Sequence, residues 1–307
     1  MRIFSGKKFI EFSTLLVVTG VLIASFVYFR CPETKSMAED SSITLIDRMR
    51  LLGGNASILS YAIYIENDEQ AKLLAEFHNI ETLTVDGQLS TSSWKAIAQI
   101  NTIEHLSLHF QGVQGLKYLN HRPKLTYLNI SSLNMTGEEL SLLSDATSLK
   151  TLNLSSCQAL EDSSLEALKE LPNLETVILD RSAVGDSGMK HLAQIKNLRS
   201  LSLTYTSITD EGLKELKNVP TLRSLNLINT KVTDAGLLEL QKFPALEDLS
   251  IAGPELSDKG LLSLQKCKQL KALDITHYPS SAKFSKEAVA QLKKALPKLE
   301  VKWQVKK

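Results

Sequence analysis

The step length of one motif decides what this chain can fold into. L-x-x-L-x-L opens at Ile80, Ile103, Leu125, Leu149, Leu174, Leu198, Leu222, Leu246 and Leu270, with steps of 23, 22, 24 and 25 and then 24 residues throughout. A weaker copy begins at Ile58, and Leu299 opens a partial one after a step of 29. Self-similarity at a fixed step of this length marks a stacked array in which each unit touches its neighbours.

Two signals share each unit. In LRSLSLTYTSITDEGLKELKNVPT (198–221), Leu201-Ser-Leu203 alternates apolar and polar, as a half-buried strand does. Leu213, Leu216 and Val219 then fall three apart, which predicts a short helix packing one face. Thr209-Asp210 supplies a capping oxygen and a negative charge at the start of that helix. The recurrent Asp210, Asp234 and Asp258 read as the same scaffold device, and Gly212, Gly236 and Gly260 as points of tight packing. One strand and one helix cannot bury their apolar faces alone. Stacking predicts an α/β solenoid with parallel strands on the inner side and helices outside.

On these residues the chain resembles the leucine-rich repeat proteins over residues 58–305. Leu149-Lys-Thr-Leu152-Asn-Leu154-Ser-Ser-Cys157 fits the cysteine-containing subtype, whose repeats run L-x-x-L-x-L-x-x-C-x-x-[IL]-T-D-x-G-L. Ser182, Thr206 and Thr230 take the cysteine slot in the following repeats. The 24-residue form with threonine is similar to repeats of bacterial membrane-anchored and secreted proteins. The resemblance implies a right-handed β-α superhelix, shaped as a horseshoe, that binds a protein or peptide. It does not say which, because fold does not imply function.

Outside the repeats, Phe12–Phe29 is an uncharged run of 18 residues. As a helix it would span about 27 Å, near the hydrocarbon thickness of a bilayer. Arg2, Lys7 and Lys8 precede it. The positive-inside bias predicts a cytoplasmic segment 1–11, a transmembrane signal anchor 12–29 and an exported body, periplasmic or extracellular. A cleaved signal peptide is the alternative, but it calls for a shorter apolar core than this one, and Leu22-Ile23-Ala24 is a poor cleavage site. Residues 30–42 read as a polar linker and 43–79 as an N-terminal cap with helices over Ser42–Leu52 and Asp68–Phe77. Repeats fill 80–298. A longer helix over Lys286–Leu296 and a last strand within 299–307 close the C-terminal end.

In each strand the residues flanking the two inner leucines point away from the core. The predicted concave surface is therefore rich in Ser, Thr and Asn and poor in charge. Exposed aromatic and Arg side chains are the usual anchors of an interface. The candidate ligand-binding residues are His109, Phe110, Tyr127, Asn129, Asn153, Asp180, Arg181 and Tyr205.

Other chemistries find little support. Residues 1–40 hold five basic and four acidic side chains, which leaves 30 against 30 in the rest of the chain. A neutral body has no long-range field for nucleic acid. His105 and His109 lie on one strand face about 13 Å apart, too far to share a metal. No nucleophile elbow, phosphate loop or zinc helix motif appears, so no enzyme, metal or cofactor is predicted. Cys157 and Cys267 fall at core positions four repeats apart, beyond disulfide reach. Residues 283–307 carry eight lysines against two acids. They read as a solvated cap that blunts the terminal strand, with an acidic partner or an anionic surface as the other reading. The sequence thus predicts a membrane-anchored, non-catalytic interaction scaffold. A soluble substrate-recruiting adaptor of the cysteine-containing type is the alternative.

Overall fold

The computed structural model describes residues 17–18, 21–22, 62–74, 80–109, 112–119, 122–132, 134–276 and 284–303. The chain divides into two units, 1–55 and 56–307.

In the first unit, β1 (Val17–Val18) pairs antiparallel with β2 (Val21–Leu22). The sequence predicts a continuous helix there, yet these four residues are extended. β-Branched valines favour extended backbone. Two residues, Thr19 and Gly20, separate the strands in sequence, the shortest common hairpin spacing. The remainder of the predicted 12–29 span, and the 30–42 linker, lie outside the described residues. No helix among the described residues is long and apolar enough to cross a membrane.

Among its described residues, the second unit is built on one parallel sheet of eleven strands in strict chain order. They are β3 (Ala62–Ile65), β4 (Thr82–Val85), β5 (His105–His109), β6 (Tyr127–Ser131), β7 (Thr151–Asn153), β8 (Thr176–Ile178), β9 (Ser200–Ser202), β10 (Ser224–Ile228), β11 (Asp248–Ala252), β12 (Ala272–Asp274) and β13 (Glu300–Lys302). The repeat step fixes the register, so that Leu201 lies beside Leu225 and Leu225 beside Leu249. A period of two sends these leucines inward and their neighbours to the opposite face. Leu201, Leu225 and Leu249 are at most 2% exposed, while Ser200, Ser224 and Asp248 are half-buried. The leucine columns are therefore the core. The weak copy at 58 supplies β3, whose Ile63 lies beside Leu83, and the partial copy at 299 supplies β13.

Short helices return the chain from each strand to the next. Most are α-helical, as over Asp186–Leu192, Asp210–Leu216, Asp234–Glu239 and Asp258–Ser263. Gly112–Tyr118 and Asp162–Glu170 are 3-10 helices. In the latter, Leu165 and Leu168 are buried and three residues apart, the spacing at which a 3-10 turn eclipses its side chains. Arg122, 6% exposed, closes the end of the Thr91–Ala98 helix by donating to the Ile97 carbonyl at 3.0 Å and to the Ile100 carbonyl. Its burial pushes the guanidinium pKa down, and the carbonyls at the negative end of the helix hold the charge in place.

The recurrent aspartates do more than start helices. Each lies in a first helical turn, but its carboxylate reaches into the next repeat. Asp186 accepts from the Thr209 amide at 2.8 Å and the Thr209 hydroxyl at 2.6 Å. Asp210 holds Thr233 in the same way at 2.8 and 2.7 Å, and Asp234 takes the amide and hydroxyl of Ser257. This explains the glycines. A Cβ at Gly212, Gly236 or Gly260 would lie 2.1–2.5 Å from the carboxylate oxygen of the preceding repeat. One repeat inverts the pair. Ser164 stands in the glycine slot, and the aspartate slot facing it holds Gly137, where a Cβ would lie 2.6 Å from Ser164 Oγ.

Candidate functional site

The helices cover one face of the sheet. The opposite, open face carries the side chains that the sequence assigns to ligand binding. In its middle row, Ser107, Asn129, Asn153, Ile178, Ser202, Asn226, Ser250 and Asp274 follow one another in register. Several are tied down before any ligand arrives. Asn153 Oδ1 accepts from the Ser155 amide at 2.9 Å and the Ser155 hydroxyl at 2.5 Å, and Asn226 Oδ1 from the Ile228 amide at 3.1 Å. An Asn two residues before the donating amide makes this bond locally.

The candidate residues fall into two groups. In the first, the Tyr127 ring lies 5.7 Å from that of His105, tilted by 49°. The Tyr127 hydroxyl pKa is raised by burial, against the opposing effect of a hydrogen bond to Asn153. Asn129 stands in register with Asn153, and its side-chain oxygen is buried with no hydrogen-bond partner among the described residues. His109, at the end of β5, is half-buried, and that burial lowers its pKa although Asp86 opposes the shift. Phe110 lies outside the described residues.

The second group stands one strand further on. Asp180 Oδ1 accepts from the Ser202 hydroxyl at 2.6 Å and the Thr204 amide at 2.9 Å. Burial raises its pKa, and those hydrogen bonds offset the shift only in part. Thr176 and Ile178, on the strand that leads into Asp180, are buried although they point to the open face, at 8% and 7% exposure.

Arg181 and Tyr205 sit on the rim beyond the strands. Ser156, Arg181, Tyr205 and Asn229 occupy one position of successive repeats, and all are left-handed, with φ of 64°, 58°, 57° and 52°. Such a backbone costs a non-glycine residue about 1 kcal/mol or more. The ladder between repeats holds it. The Ser156, Arg181 and Tyr205 amides donate to the carbonyls of Asp180, Thr204 and Ile228 at 2.8–2.9 Å. The Arg181 guanidinium consequently lies over the Tyr205 ring, 4.9 Å from its centroid. Tyr205 is 45% exposed. Gln158 joins this group by donating to the Arg181 carbonyl. Its contribution was hidden in the sequence, because a contact to backbone leaves no signature in residue type. Among the described residues, no group of three His, Cys, Asp or Glu side chains is arranged to hold a metal ion.

Comparison with known proteins bears on the scaffold. Residues 145–169 and 194–217 match a protein-family model described as Leucine Rich repeat. These two segments are leucine-rich repeats. Among solved structures, an internalin C2 from Listeria monocytogenes is 22% identical, over 68% of this chain and 74% of its own, with a TM-score of 0.41. An internalin (inlF) from the same organism is 15% identical, over 84% of this chain and 94% of its own, with a TM-score of 0.49. No curated protein matches the chain in sequence. The leucine-rich repeat frame accounts for the slot that varies between cysteine, serine and threonine. Ser182, Thr206 and Thr230 are buried, and each hydroxyl donates to the carbonyl three residues before it, at 2.7, 2.6 and 3.0 Å. Cys157 Sγ instead reaches the Ile130 carbonyl of the preceding repeat at 3.5 Å.

Proposed function

We propose that this protein is a non-catalytic interaction scaffold that binds a protein or peptide partner on the open face of its leucine-rich repeat sheet. Repeats of the cysteine-containing form carry that face, and residues 12–29 anchor the chain to a membrane with residues 1–11 in the cytoplasm and the repeats exported. The anchor reading is supported by the uncharged length of that segment and the basic residues before it.

One observation carries the binding reading. The polar groups of the open face are already ordered by their own hydrogen bonds, as at Asn153, Asp180 and Asn226. A ligand that meets fixed donors and acceptors loses little further ordering entropy. Tyr205 with Arg181 on the rim and Tyr127 with His105 on the face supply the larger contacts between which an extended segment lies. The test compares the full chain with the triple variant Tyr127→Ala, Asp180→Ala, Tyr205→Ala as baits for membrane and secreted proteins of the source cell. Proteins retained by the native chain are expected to be lost from the variant, while the folded helix content stays the same. Equal retention by both would remove the open face as the binding surface.

A further inference from the structure

Among the described residues, the ion pairs of the solenoid end at Lys271. Lys72–Glu69, Lys169–Glu166, Lys214–Glu211 and Lys242–Glu239 close within helices at 2.5–2.7 Å. Arg199–Glu175, Arg223–Glu247 and Lys271–Glu247 close between repeats at 2.7–3.5 Å. Beyond Lys271 the balance changes, for residues 283–307 hold eight lysines against Glu287 and Glu300, a net of +6. Lys286, Lys293, Lys294, Lys298 and Lys302 are all exposed. None of the five has a carboxylate within ion-pair distance among the described residues.

The fold gathers these charges at one end. In the Lys286–Ala295 helix, Ala288, Val289 and Leu292 are buried. At 3.6 residues per turn this leaves Lys286, Lys293 and Lys294 together on the outer side, over about 12 Å of helix. Lys302 lies on β13, the terminal strand of the sheet. Lys268 comes from the preceding repeat to the end of the same helix, where its ammonium donates to the Ala295 carbonyl at 3.5 Å.

We propose that this terminal face binds an anionic lipid surface. The binding is separate from the partner reading of the open face, and neither depends on the other. Unpaired lysines on a convex helix need only a diffuse negative potential, which a leaflet of anionic headgroups supplies. A single-stranded nucleic acid would need a series of exposed aromatic rings between the charges; of the two aromatic residues described at this end, Phe284 is 5% exposed and Trp303 is half-buried.

The experiment holds the full chain on beads by an N-terminal tag. It offers fluorescent vesicles of phosphatidylcholine alone, or with about 30 mol% phosphatidylglycerol. The variant Lys286→Glu, Lys293→Glu, Lys294→Glu leaves the apolar leader and its own basic residues untouched, so the difference between native chain and variant reads the terminal face. Capture of the anionic vesicles is expected to fall about tenfold or more in the variant, since each lysine near an anionic surface contributes about fivefold. Capture of neutral vesicles is expected to stay unchanged, and salt at about 0.5 M to abolish the difference. The corresponding triple glutamine variant keeps the helix without the reversed charge and is expected to fall between the two. Unchanged capture of anionic vesicles by both variants would overturn the proposal. So would a duplex DNA that displaces the vesicles at a phosphate concentration below that of the lipid.

Discussion

Replacing Gly212 by alanine tests whether the recurrent aspartate and glycine form one device across two repeats. A Cβ at 212 would lie 2.5 Å from Asp186 Oδ1, and 3.1 Å from Ile208 Cγ2 and Met189 Cγ. The two carbon contacts relax with shifts of a few tenths of an ångström. The oxygen does not, because the Thr209 amide holds it at 2.8 Å and the Thr209 hydroxyl holds its twin at 2.6 Å. The carboxylate must swing away, and both bonds weaken. Hydrogen bonds to a charged group contribute about 1.5–3 kcal/mol each, so two partly exposed ones are worth about 3 kcal/mol together. Alanine gives back about 1 kcal/mol of helix propensity, leaving a net loss of about 2 kcal/mol for Gly212→Ala. Asp186→Ala alone loses the full pair, about 3 kcal/mol. With Asp186 already replaced, nothing charged remains to displace, and Gly212→Ala becomes neutral or stabilises by up to about 1 kcal/mol. The effect of one substitution changes sign with another 26 residues away. Hydrogen exchange of the amides in 198–240 is the measurement, since stacked repeats open locally rather than through one transition. An equal loss for Gly212→Ala in both backgrounds would show that the glycine answers to something other than the carboxylate.

The inverted pair offers a second cycle: Gly137→Asp is expected to destabilise the native background and to be tolerated with Ser164→Gly, which thermal unfolding of the two can compare. Arg122→Met leaves the Ile97 and Ile100 carbonyls without their donor, and a loss of about 2–3 kcal/mol is expected in the exchange protection of 91–100. Burial raises the Asp180 pKa above its ordinary value, so the folded chain holds that proton more tightly than the unfolded one. The associated stability is complete below the unfolded pKa and declines as pH rises through the folded pKa. Asp180→Asn is therefore expected to stabilise the repeats at neutral pH, with the gain vanishing below about pH 4; a gain that persists in acid would point to another cause. Burial also raises the Cys157 thiol pKa, and that of Cys267 to about 11. With Cys31, the third cysteine of the sequence, replaced by serine, neither thiol is expected to react with a thiol reagent at neutral pH until denaturant is added.

The scaffold was legible because each of its constraints is repeated. A leucine column needs the same residue at the same step, and the step appears in the sequence as plainly as in the register of Leu201, Leu225 and Leu249. The aspartates were legible as a recurrence and misleading as a mechanism. Within one repeat, Asp210 looks like a charge at a helix start. Its partners Thr233 and Gly236 lie in the next repeat and show their purpose only when the two are stacked. The 3-10 turn at 162–170 was open to reading from its three-residue leucine spacing, but that spacing also suits an α-helix. Arg122 left no signal, since its partners are backbone carbonyls and any sequence supplies those.

Candidate ligand contacts obey the opposite rule, and this is how they separate from the scaffold. Residues that hold the repeats together recur, whereas Tyr127, Asp180, Arg181 and Tyr205 differ from the Thr151, Ser155, Thr204, Ser156 and Asn229 that share their columns in neighbouring repeats. Three of them work against the fold at their own positions. Arg181 and Tyr205 keep large side chains on left-handed backbone where glycine would relax. Asp180 keeps a carboxylate where burial disfavours its charge, although an asparagine oxygen could accept from Ser202 and Thr204 equally well. Local choices that oppose stability gather where a surface has a task beyond folding. Three such choices on adjacent repeats, meeting at the stacked Arg181 and Tyr205, make that part of the rim the place where a partner is first to be sought.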